Sequence, residues 1–254
     1  LRDSEYINSH YVIMATKNGT VKKTLLEAYS RPRQNGINAI TIKDGDQLLE
    51  AKLTTGNCEI ILAKKSGKAI RFNEETVRAV GRNSQGVKGV TLEGKDDEVI
   101  GMICISDPDA NVLVVSEKGY GKRSLVEDYR ITNRGGKGVK TMNITDKTGA
   151  LIAIKSVVDT DDLMIINKSG ITIRMEIDQL RVMGRATQGV RLINLRNGDE
   201  IAAVAKVEVS EDDDLKEDVV YDEDGNPIES HFDNDINNDE MPNDDENSEE
   251  LSEE

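Results

Sequence analysis

A unit of about 50 residues recurs four times along the chain, and this internal period constrains the fold more than any other feature. Each unit contains a glycine in a short polar turn, and these glycines are Gly19, Gly67, Gly119 and Gly170, in steps of 48, 52 and 51 residues. A second glycine follows 17 or 19 residues later, at Gly36, Gly86, Gly138 and Gly189. Two glycine series in one register indicate four copies of a single structural unit.

Short apolar runs surround both glycines of each unit. The runs before the first glycine are typical of buried strands, and they are Tyr11 to Ala15, Ile60 to Ala63, Val112 to Val115 and Leu163 to Ile166. Alternation after that glycine, clearest in Ile171 to Met175, predicts the second strand of a β-hairpin. The runs that the second glycine opens are Ile37 to Ile42, Val87 to Leu92, Val139 to Ile144 and Val190 to Leu195, and a polar turn leads from each to a fourth run. Each unit is therefore predicted to form four antiparallel strands, the pattern of a propeller blade in an all-β fold.

The charge divides the chain into two parts. The 254 residues include 33 Lys or Arg and 48 Asp or Glu, but residues 207–254 hold 22 of the acidic residues and a single Lys. Residues 1–206 therefore carry a net charge of +6, and the last 48 residues carry −21. We predict a folded body of four blade repeats over 1–206 and an acidic, disordered C-terminal tail over 207–254.

Basic residues recur at fixed places in the repeats. Four residues after the first glycine stand Lys23, Arg71, Arg123 and Arg174. Four residues before the second glycine stand Arg82, Arg134 and Arg185, with Arg33 one place out of step. Two residues after the second glycine stand Lys88, Lys140 and Arg191. Nearby lysines complete the set of candidate DNA-binding residues, and these are Lys22, Lys68, Lys122 and Lys137.

Cations in one register predict a positive stripe around the outside of the body, because blades repeat radially. Such a stripe favours contact with the regular phosphates of a nucleic acid. The body holds five Tyr, one Phe and no Trp, too few for the stacking platform that single strands require, so duplex DNA is the predicted partner. Exposed Lys and Arg also protect sheet edges and aid solubility, and this alternative stays open.

Catalytic chemistry is not indicated. The two histidines are His10 and His231, which leaves the repeats without a triad or a His pair for a metal. The loop from Arg134 to Gly138 lacks the residue spacing of a phosphate-loop ATPase. Its glycines are flanked by cations, so its backbone could approach the phosphates of a ligand. The alternative is that the loop is a simple tight turn without a ligand. No cofactor is therefore expected in this chain.

The location is predicted from what the sequence lacks. Cys58 and Cys104 are too few for a disulfide framework or a four-ligand zinc site, so we expect reduced thiols. No stretch approaches 18 apolar residues, and the start has neither a signal core nor an initiator Met. We therefore expect a cytoplasmic, nucleoid-associated chain that lacks its beginning and has no membrane partner.

Three segments carry a resemblance to a known family. They are MATKNGTVKKT at 14–24, EKGYGKR at 117–123 and VMGRATQGV at 182–190. In their order and spacing, over about residues 11–206, they resemble the C-terminal domain of DNA gyrase A. The resemblance implies a β-pinwheel, in which neighbouring blades exchange strands and duplex DNA wraps around a basic outer rim.

The resemblance also implies a role within a larger enzyme. Gyrase is an ATP-dependent type II topoisomerase that introduces negative supercoils, and its cleavage residues lie in the N-terminal part of gyrase A and in gyrase B. The implied partners are therefore duplex DNA and those two components of a heterotetramer, with ATP and Mg²⁺ used elsewhere and no activity in this chain alone. The family's usual six blades would leave two leading blades absent here.

One family motif is matched in part. The gyrase box, Gln-Arg-Arg-Gly-Gly-Lys-Gly, shares five of seven residues with the segment that ends in Arg134-Gly135-Gly136-Lys137-Gly138, where Thr132 and Asn133 replace Gln and Arg. The box belongs to the first blade of the family, whereas this segment lies in the third repeat. The corresponding domain of topoisomerase IV is the nearest alternative, and a β-propeller scaffold for protein interactions is the alternative from another functional class.

Overall fold

The computed structural model describes residues 4–196 and 198–208, which form a β-rich body. A short helix, α1 (Ser4–Ser9), precedes the first strand. The strands of these residues are β1 (Tyr11–Thr16), β2 (Thr20–Leu25), β3 (Leu48–Thr54), β4 (Glu59–Lys64), β5 (Lys68–Asn73), β6 (Val87–Lys88), β7 (Val99–Ile105), β8 (Asn111–Ser116), β9 (Tyr120–Leu125), β10 (Val139–Lys140), β11 (Leu151–Val157), β12 (Asp161–Asn167), β13 (Thr172–Glu176), β14 (Val190–Arg191) and β15 (Ile201–Glu208). Single 3₁₀ turns at Leu26–Tyr29, Glu74–Thr76 and Val126–Asp128 follow the first three hairpins. The prediction of an all-β fold is confirmed.

The strands form four antiparallel sheets, and each complete sheet takes strands from two repeats. The strand orders are β3-β1-β2-β6, β7-β4-β5-β10, β11-β8-β9-β14 and β15-β12-β13. In the first sheet, three strands come from the first repeat, and β6 comes from the second repeat to pair with β2 through Thr20 and Lys88. The exchanges of β10 and β14 repeat this arrangement. The strand exchange that the resemblance implied is confirmed.

The second glycine of the second, third and fourth repeats makes this exchange possible. Gly86, Gly138 and Gly189 all have positive φ angles, of 94°, 80° and 83°. A Cβ atom at Gly138 would meet the backbone of Ala69 in the preceding blade, and a Cβ at Gly86 would meet that of Val21. Only glycine combines this backbone conformation with so close an approach, which explains why the glycine recurs.

The third run of each repeat is shorter than predicted. β6, β10 and β14 each cover two residues, and Ile37 to Ile42 of the first repeat forms no strand. The exchanged strands pair with the hairpin of the preceding repeat, and no such hairpin stands before the first repeat in the described residues. The backbone groups at 37–42 therefore have no ladder to join.

Neighbouring blades pack face to face. In β4, Ile60 and Leu62 face the first blade, whereas Ile61 and Ala63 face the third. A third cluster joins the third and fourth blades. Both faces of a central strand are therefore buried, which explains why these strands appear in the sequence as continuous apolar runs rather than as alternating patterns.

The two edges of each sheet have different surroundings. β3, β7, β11 and β15 contact one another in succession, so they form the inner edges of the blades. They enclose a cavity of about 500 Å³, to which Lys52, Lys155 and Lys206 contribute. The exchanged strands β6, β10 and β14 form the opposite, outer edges.

The last strand ends slightly beyond the predicted body. β15 pairs with β12 as far as Asp161 and Glu208, so residues 207 and 208 belong to the fourth blade rather than to the tail. The rest of the predicted acidic tail, from residue 209, lies outside the described residues. Within the described part, no helix is long and apolar enough to cross a membrane.

Candidate nucleic-acid interface

The cations four residues after the first glycine lie mostly in the blade interfaces. Lys23 and Arg123 are each 6% exposed, and the Arg71 side chain is 12% exposed, whereas that of Arg174 is 49% exposed. The first three form parallel bridges with the next repeat, at Ala79 for Lys23, Ile131 for Arg71 and Val182 for Arg123. This differs from the predicted outer stripe, because the register marks the junction between blades.

Arg71 shows how such a junction is built. Its Nη1 atom donates to the carbonyl oxygens of Val126 and Tyr129, at 2.7 and 2.9 Å, in the 3₁₀ turn of the third blade. Its Nε atom donates to the Glu59 carboxylate at 2.6 Å within its own blade. One guanidinium group therefore satisfies two buried carbonyls and an acid, and it joins two blades.

Lys23 and Arg123 repeat the arrangement with other partners. The Lys23 ammonium lies 3.7 Å from the fully buried carboxylate of Glu74 in the second blade. Arg123 donates to the carbonyl oxygens of Leu180 and Asp178 in the fourth blade and pairs with Asp159. Cations with these partners are engaged inside the protein.

Lys22 and Lys122 are also buried, and each contacts the loop of the next blade. Lys22 Nζ donates to the carbonyl oxygen of Arg82, and Lys122 Nζ donates to that of Gly184 at 2.6 Å. Burial lowers the pKa of Lys122 to about 8, with an opposing effect from Asp128 and a smaller lowering effect from Arg185. Burial also lowers the pKa of Lys22. Like Lys23, Arg71 and Arg123, these lysines face the interior.

The arginines four residues before the second glycine hold the loops between blades. The Nη1 atoms of Arg82, Arg134 and Arg185 donate to the carbonyl oxygens of Asn38, Lys88 and Lys140, at 2.9, 3.1 and 2.6 Å. These carbonyls share one position, two residues after the second glycine of the preceding repeat. The Nη2 atoms of the three arginines make no hydrogen bond within residues 4–196 and 198–208, so each half-buried guanidinium keeps a donor for a ligand at the surface.

The outer edge strands carry the exposed cations of the predicted set. Lys88, Lys140 and Arg191 are exposed on β6, β10 and β14, and Lys137 and Arg33 are exposed in loops. Lys68, beside them on β5, is half-buried and lies 2.7 Å from the Glu93 carboxylate. The predicted set therefore divides into an outer group and five interior cations.

A further register of exposed arginines is not in the predicted set. Arg78, Arg130 and Arg181 follow one another in steps of 52 and 51 residues, and each is exposed just before the parallel bridge. None of the three has an ion pair or hydrogen bond with another described side chain. Each lies 11 residues after the first glycine of its repeat, so these arginines recur at a fixed place like the predicted cations, and this recurrence is the sequence signal that could have identified them.

The loop from Arg134 to Gly138 lies against the second blade. The Gly135 amide donates to the Gly89 carbonyl at 2.6 Å, and the Thr91 hydroxyl donates to the Gly135 carbonyl at 2.6 Å. Lys137 remains exposed in this loop. The backbone is therefore used for packing between blades, while one ammonium group points to solvent.

Comparison with known proteins agrees with this architecture. The family model described as DNA gyrase C-terminal domain, beta-propeller, matches residues 10–55, 60–106, 110–157 and 161–208, one match for each repeat. The chain belongs to this family. The resemblance found in the sequence is confirmed, and with it the assignment of the repeats to pinwheel blades.

The similar curated members of the gyrase C-terminal domain family are longer than this chain. The chain is 43% identical over 203 residues to the DNA gyrase A protein of Staphylococcus epidermidis (strain ATCC 12228), a match that covers 80% of this chain and 23% of that protein. It is 42% identical over 210 residues to the DNA gyrase A protein of Staphylococcus aureus (strain NCTC 8325), covering 82% and 24%. The chain therefore spans about a quarter of the length of these relatives.

Solved structures show the same fold. The C-terminal domain of a DNA topoisomerase IV superposes with a TM-score of 0.76 at 24% identity, covering 82% of this chain and 64% of that one. A DNA gyrase A C-terminal domain superposes with a TM-score of 0.71 at 23% identity, covering 81% and 68%. At these identities the likeness concerns the fold, and the gyrase family match rests on the sequence.

Proposed function

We propose that this chain binds and wraps duplex DNA as the C-terminal domain of a DNA gyrase A protein. One observation carries the proposal: successive blades present exposed cations at equivalent outer positions. These cations are Arg78, Arg130 and Arg181 before the bridge, and Lys88, Lys140 and Arg191 on the edge strands. Repeated cations along an edge match the regular phosphates of a duplex, which are read without sequence preference.

The interior cations support the same function indirectly. Lys22, Lys23, Arg71, Lys122 and Arg123 hold the blades in register, so that the outer cations keep a fixed spacing. Our proposed interface excludes these five residues. Arg33, Lys68, Arg82, Arg134, Lys137, Arg174 and Arg185 remain candidates for DNA contact with the edge-strand cations.

Within the whole enzyme, we assign the chain a wrapping role and no chemistry of its own. The proposed partners are duplex DNA, the N-terminal part of gyrase A and the gyrase B protein. ATP and Mg²⁺ would act in those other parts, and wrapping would direct strand passage towards negative supercoiling. The localisation that follows is cytoplasmic, with the nucleoid.

Salt-dependent binding tests the proposal. If about six phosphates are contacted, the logarithm of the affinity for a mixed-sequence duplex falls against log salt with a slope of about −5. A scaffold for protein interactions, whose cations serve solubility, would bind the duplex weakly and without this slope. Absence of salt-dependent binding to any duplex would contradict the proposed function.

A further inference from the structure

A cavity of about 510 Å³ opens at the outer edge of the third blade. Its lining includes four cations, which are Lys118, Lys147, Arg191 and Arg196, together with Tyr120. Arg191 reaches it from the exchanged strand β14, which pairs with β9 through Arg191 and Tyr120. Strand exchange therefore brings cations from two repeats into one cavity.

Tyr120 stands at the centre of this group. The residue is 7% exposed, and its hydroxyl accepts a hydrogen bond from Arg191 Nη2 at 2.9 Å. The Lys147 ammonium and the Arg191 guanidinium each lie 5.5 Å from the ring centroid. The Arg191 hydrogen bond is the main cause of a lowered pKa of the Tyr120 phenol, and Lys147 adds to it. Arg191 thus binds the Tyr120 hydroxyl, while Lys147 lies over the ring of the same residue.

The four cations have no acidic partner within the described residues. Lys118 donates to the backbone carbonyl of Asp146 at 2.6 Å, and Arg191 Nη1 donates to the Asn194 side-chain oxygen at 3.0 Å. The Asp146 carbonyl and the Asn194 side-chain oxygen are neutral acceptors, so they do not balance the positive charges of Lys118 and Arg191.

The two acids that line the cavity are engaged with other groups. The Asp199 carboxylate accepts from the Ser169 hydroxyl at 2.7 Å, and the Glu200 carboxylate pairs with the Lys168 ammonium. Asp199 keeps its negative charge, but the four cations of the lining outnumber its two acids, so the cavity has a net positive charge that suits an anion.

The second blade provides an internal comparison. There Lys68 occupies the position of Tyr120, and Lys140 pairs with it across the exchanged strand. Glu93 lies 2.7 Å from the Lys68 ammonium, and Asp97 lies 3.5 Å from that of Lys64. The carboxylates of the second blade therefore neutralise the positive charges of its own lysines.

The third blade has lost both acids. The positions 52 residues after Glu93 and Asp97 are Thr145 and Gly149. The two lysines that these acids pair with in the second blade, Lys64 and Lys68, are also replaced, by Ser116 and Tyr120. The cations that the third blade does present, Lys118, Lys147 and Arg191, have no carboxylate partner among the described residues, which points to a ligand that supplies the negative charge.

We propose that Lys118, Tyr120, Lys147 and Arg191 form a phosphate-binding site at the outer edge of the third blade. Arg191 and Lys147 provide N–H donors to the phosphate oxygens, and the Tyr120 hydroxyl holds the guanidinium in place. The ligand is a phosphodiester of duplex DNA, an identity that rests on the proposed function. The inference that the site binds phosphate groups rests only on the residues of this cavity.

Matched single-charge variants test the site. Lys147→Gln removes a cation from the cavity, and Lys95→Gln removes the equivalent exposed lysine from the second blade, where the acids remain. Binding of inorganic pyrophosphate to the full chain is measured by calorimetry, and binding of a short duplex by fluorescence anisotropy. Thermal melting confirms that both variants are folded.

We expect Lys147→Gln to weaken pyrophosphate binding about tenfold, as for the loss of one charged hydrogen bond, while Lys95→Gln leaves it unchanged. Duplex binding should then show a salt slope that is less steep by about 0.9 for Lys147→Gln alone. Pyrophosphate binding that both variants weaken equally would overturn the site, because only net charge would matter.

The two probes separate this site from the proposed function. A wild-type chain that binds pyrophosphate through Lys147 but binds no duplex would support the phosphate site and contradict DNA wrapping. A chain that binds duplex with the expected slope but shows no dependence on Lys147 for either probe would support wrapping and overturn the site.

Discussion

Arg71 in the second blade donates a 2.9 Å hydrogen bond from its guanidinium Nη1 to the carbonyl oxygen of Tyr129 in the third blade. The same guanidinium pairs with Glu59, so a residue that the sequence places in a register of surface cations holds two blades together. Cations in one register thus differ in their surroundings. The interior ones hold neighbouring blades together, and the exposed ones are our proposed contacts to DNA.

Removing an interior cation should destabilise the body. Arg71→Met leaves two carbonyl oxygens and the Glu59 carboxylate without their donor, and we expect a loss of about 3 kcal/mol in the free energy of unfolding. Arg130→Met is the matched control, because the exposed Arg130 side chain has no ion pair with another described side chain and should contribute less than about 1 kcal/mol. Urea denaturation gives both values, and equal small losses would show that the blade junction is not stabilised by Arg71.

The buried amine of Lys122 should make stability depend on pH. Its pKa in the folded protein is about 8, against an ordinary 10.5, so folding releases a proton between these values. The unfolded state binds more protons in this window, and stability therefore rises as the pH increases from 8 towards 10.5 and is lost as the pH falls back through 8.

Lys122→Met removes this titration. We expect the wild-type chain to gain about 1 kcal/mol relative to the variant between pH 7.5 and 9.5. Denaturation curves at the two pH values measure the difference. A wild-type gain no larger than that of the variant would mean that the Lys122 amine is not perturbed.

The fold followed from the sequence more completely than the interface did. Two glycine series and four apolar runs were sufficient to predict all-β blades, because glycine with positive φ and strands buried on both faces leave local signals. The pattern of glycines and apolar runs did not predict which strand completes each sheet. β6 joins β2 through residues that are far apart in the sequence, such as Lys88 and Thr20.

The roles of the cations depend on the same distant contacts. Lys23 and Arg78 are both basic residues in register, yet one faces a buried carboxylate and the other faces solvent. Residue type and spacing are alike in the two cases. The difference arises from the 3₁₀ turn of the next blade, whose position the local sequence does not reveal.

The exposed arginine register should account for a large share of DNA binding. Replacing Arg78, Arg130 and Arg181 together by Gln removes three phosphate contacts, and we expect the salt slope to become less steep by about 2.7. The control replaces Lys52, Lys155 and Lys206, which line the inner cavity, by Gln and so makes the same change in net charge. An equal effect of the two triple variants would indicate attraction by net charge rather than contact at the outer edge.

The acidic tail should compete with DNA for the same cations. Truncation after Glu208 preserves β15 and removes residues 209–254, which carry 21 acidic residues and one Lys. A tethered polyanion acts at a high effective concentration, so truncation should tighten duplex binding most at low salt, and the gain should shrink as salt screens both charges. Binding curves for the two chains at low and at physiological salt measure the effect, and equal affinities at low salt would leave a solubilising role.

DNA topology gives the most direct test of wrapping. A relaxed plasmid is incubated with increasing amounts of the chain, treated with a nicking-closing topoisomerase and freed of protein, and its linking number is read from topoisomer distributions on a gel. If DNA wraps around the outer edge, the linking number shifts progressively in one direction, and the variant lacking Arg78, Arg130 and Arg181 shifts it less. A distribution that stays centred on the relaxed position, under conditions where the chain is bound to the plasmid, would contradict wrapping.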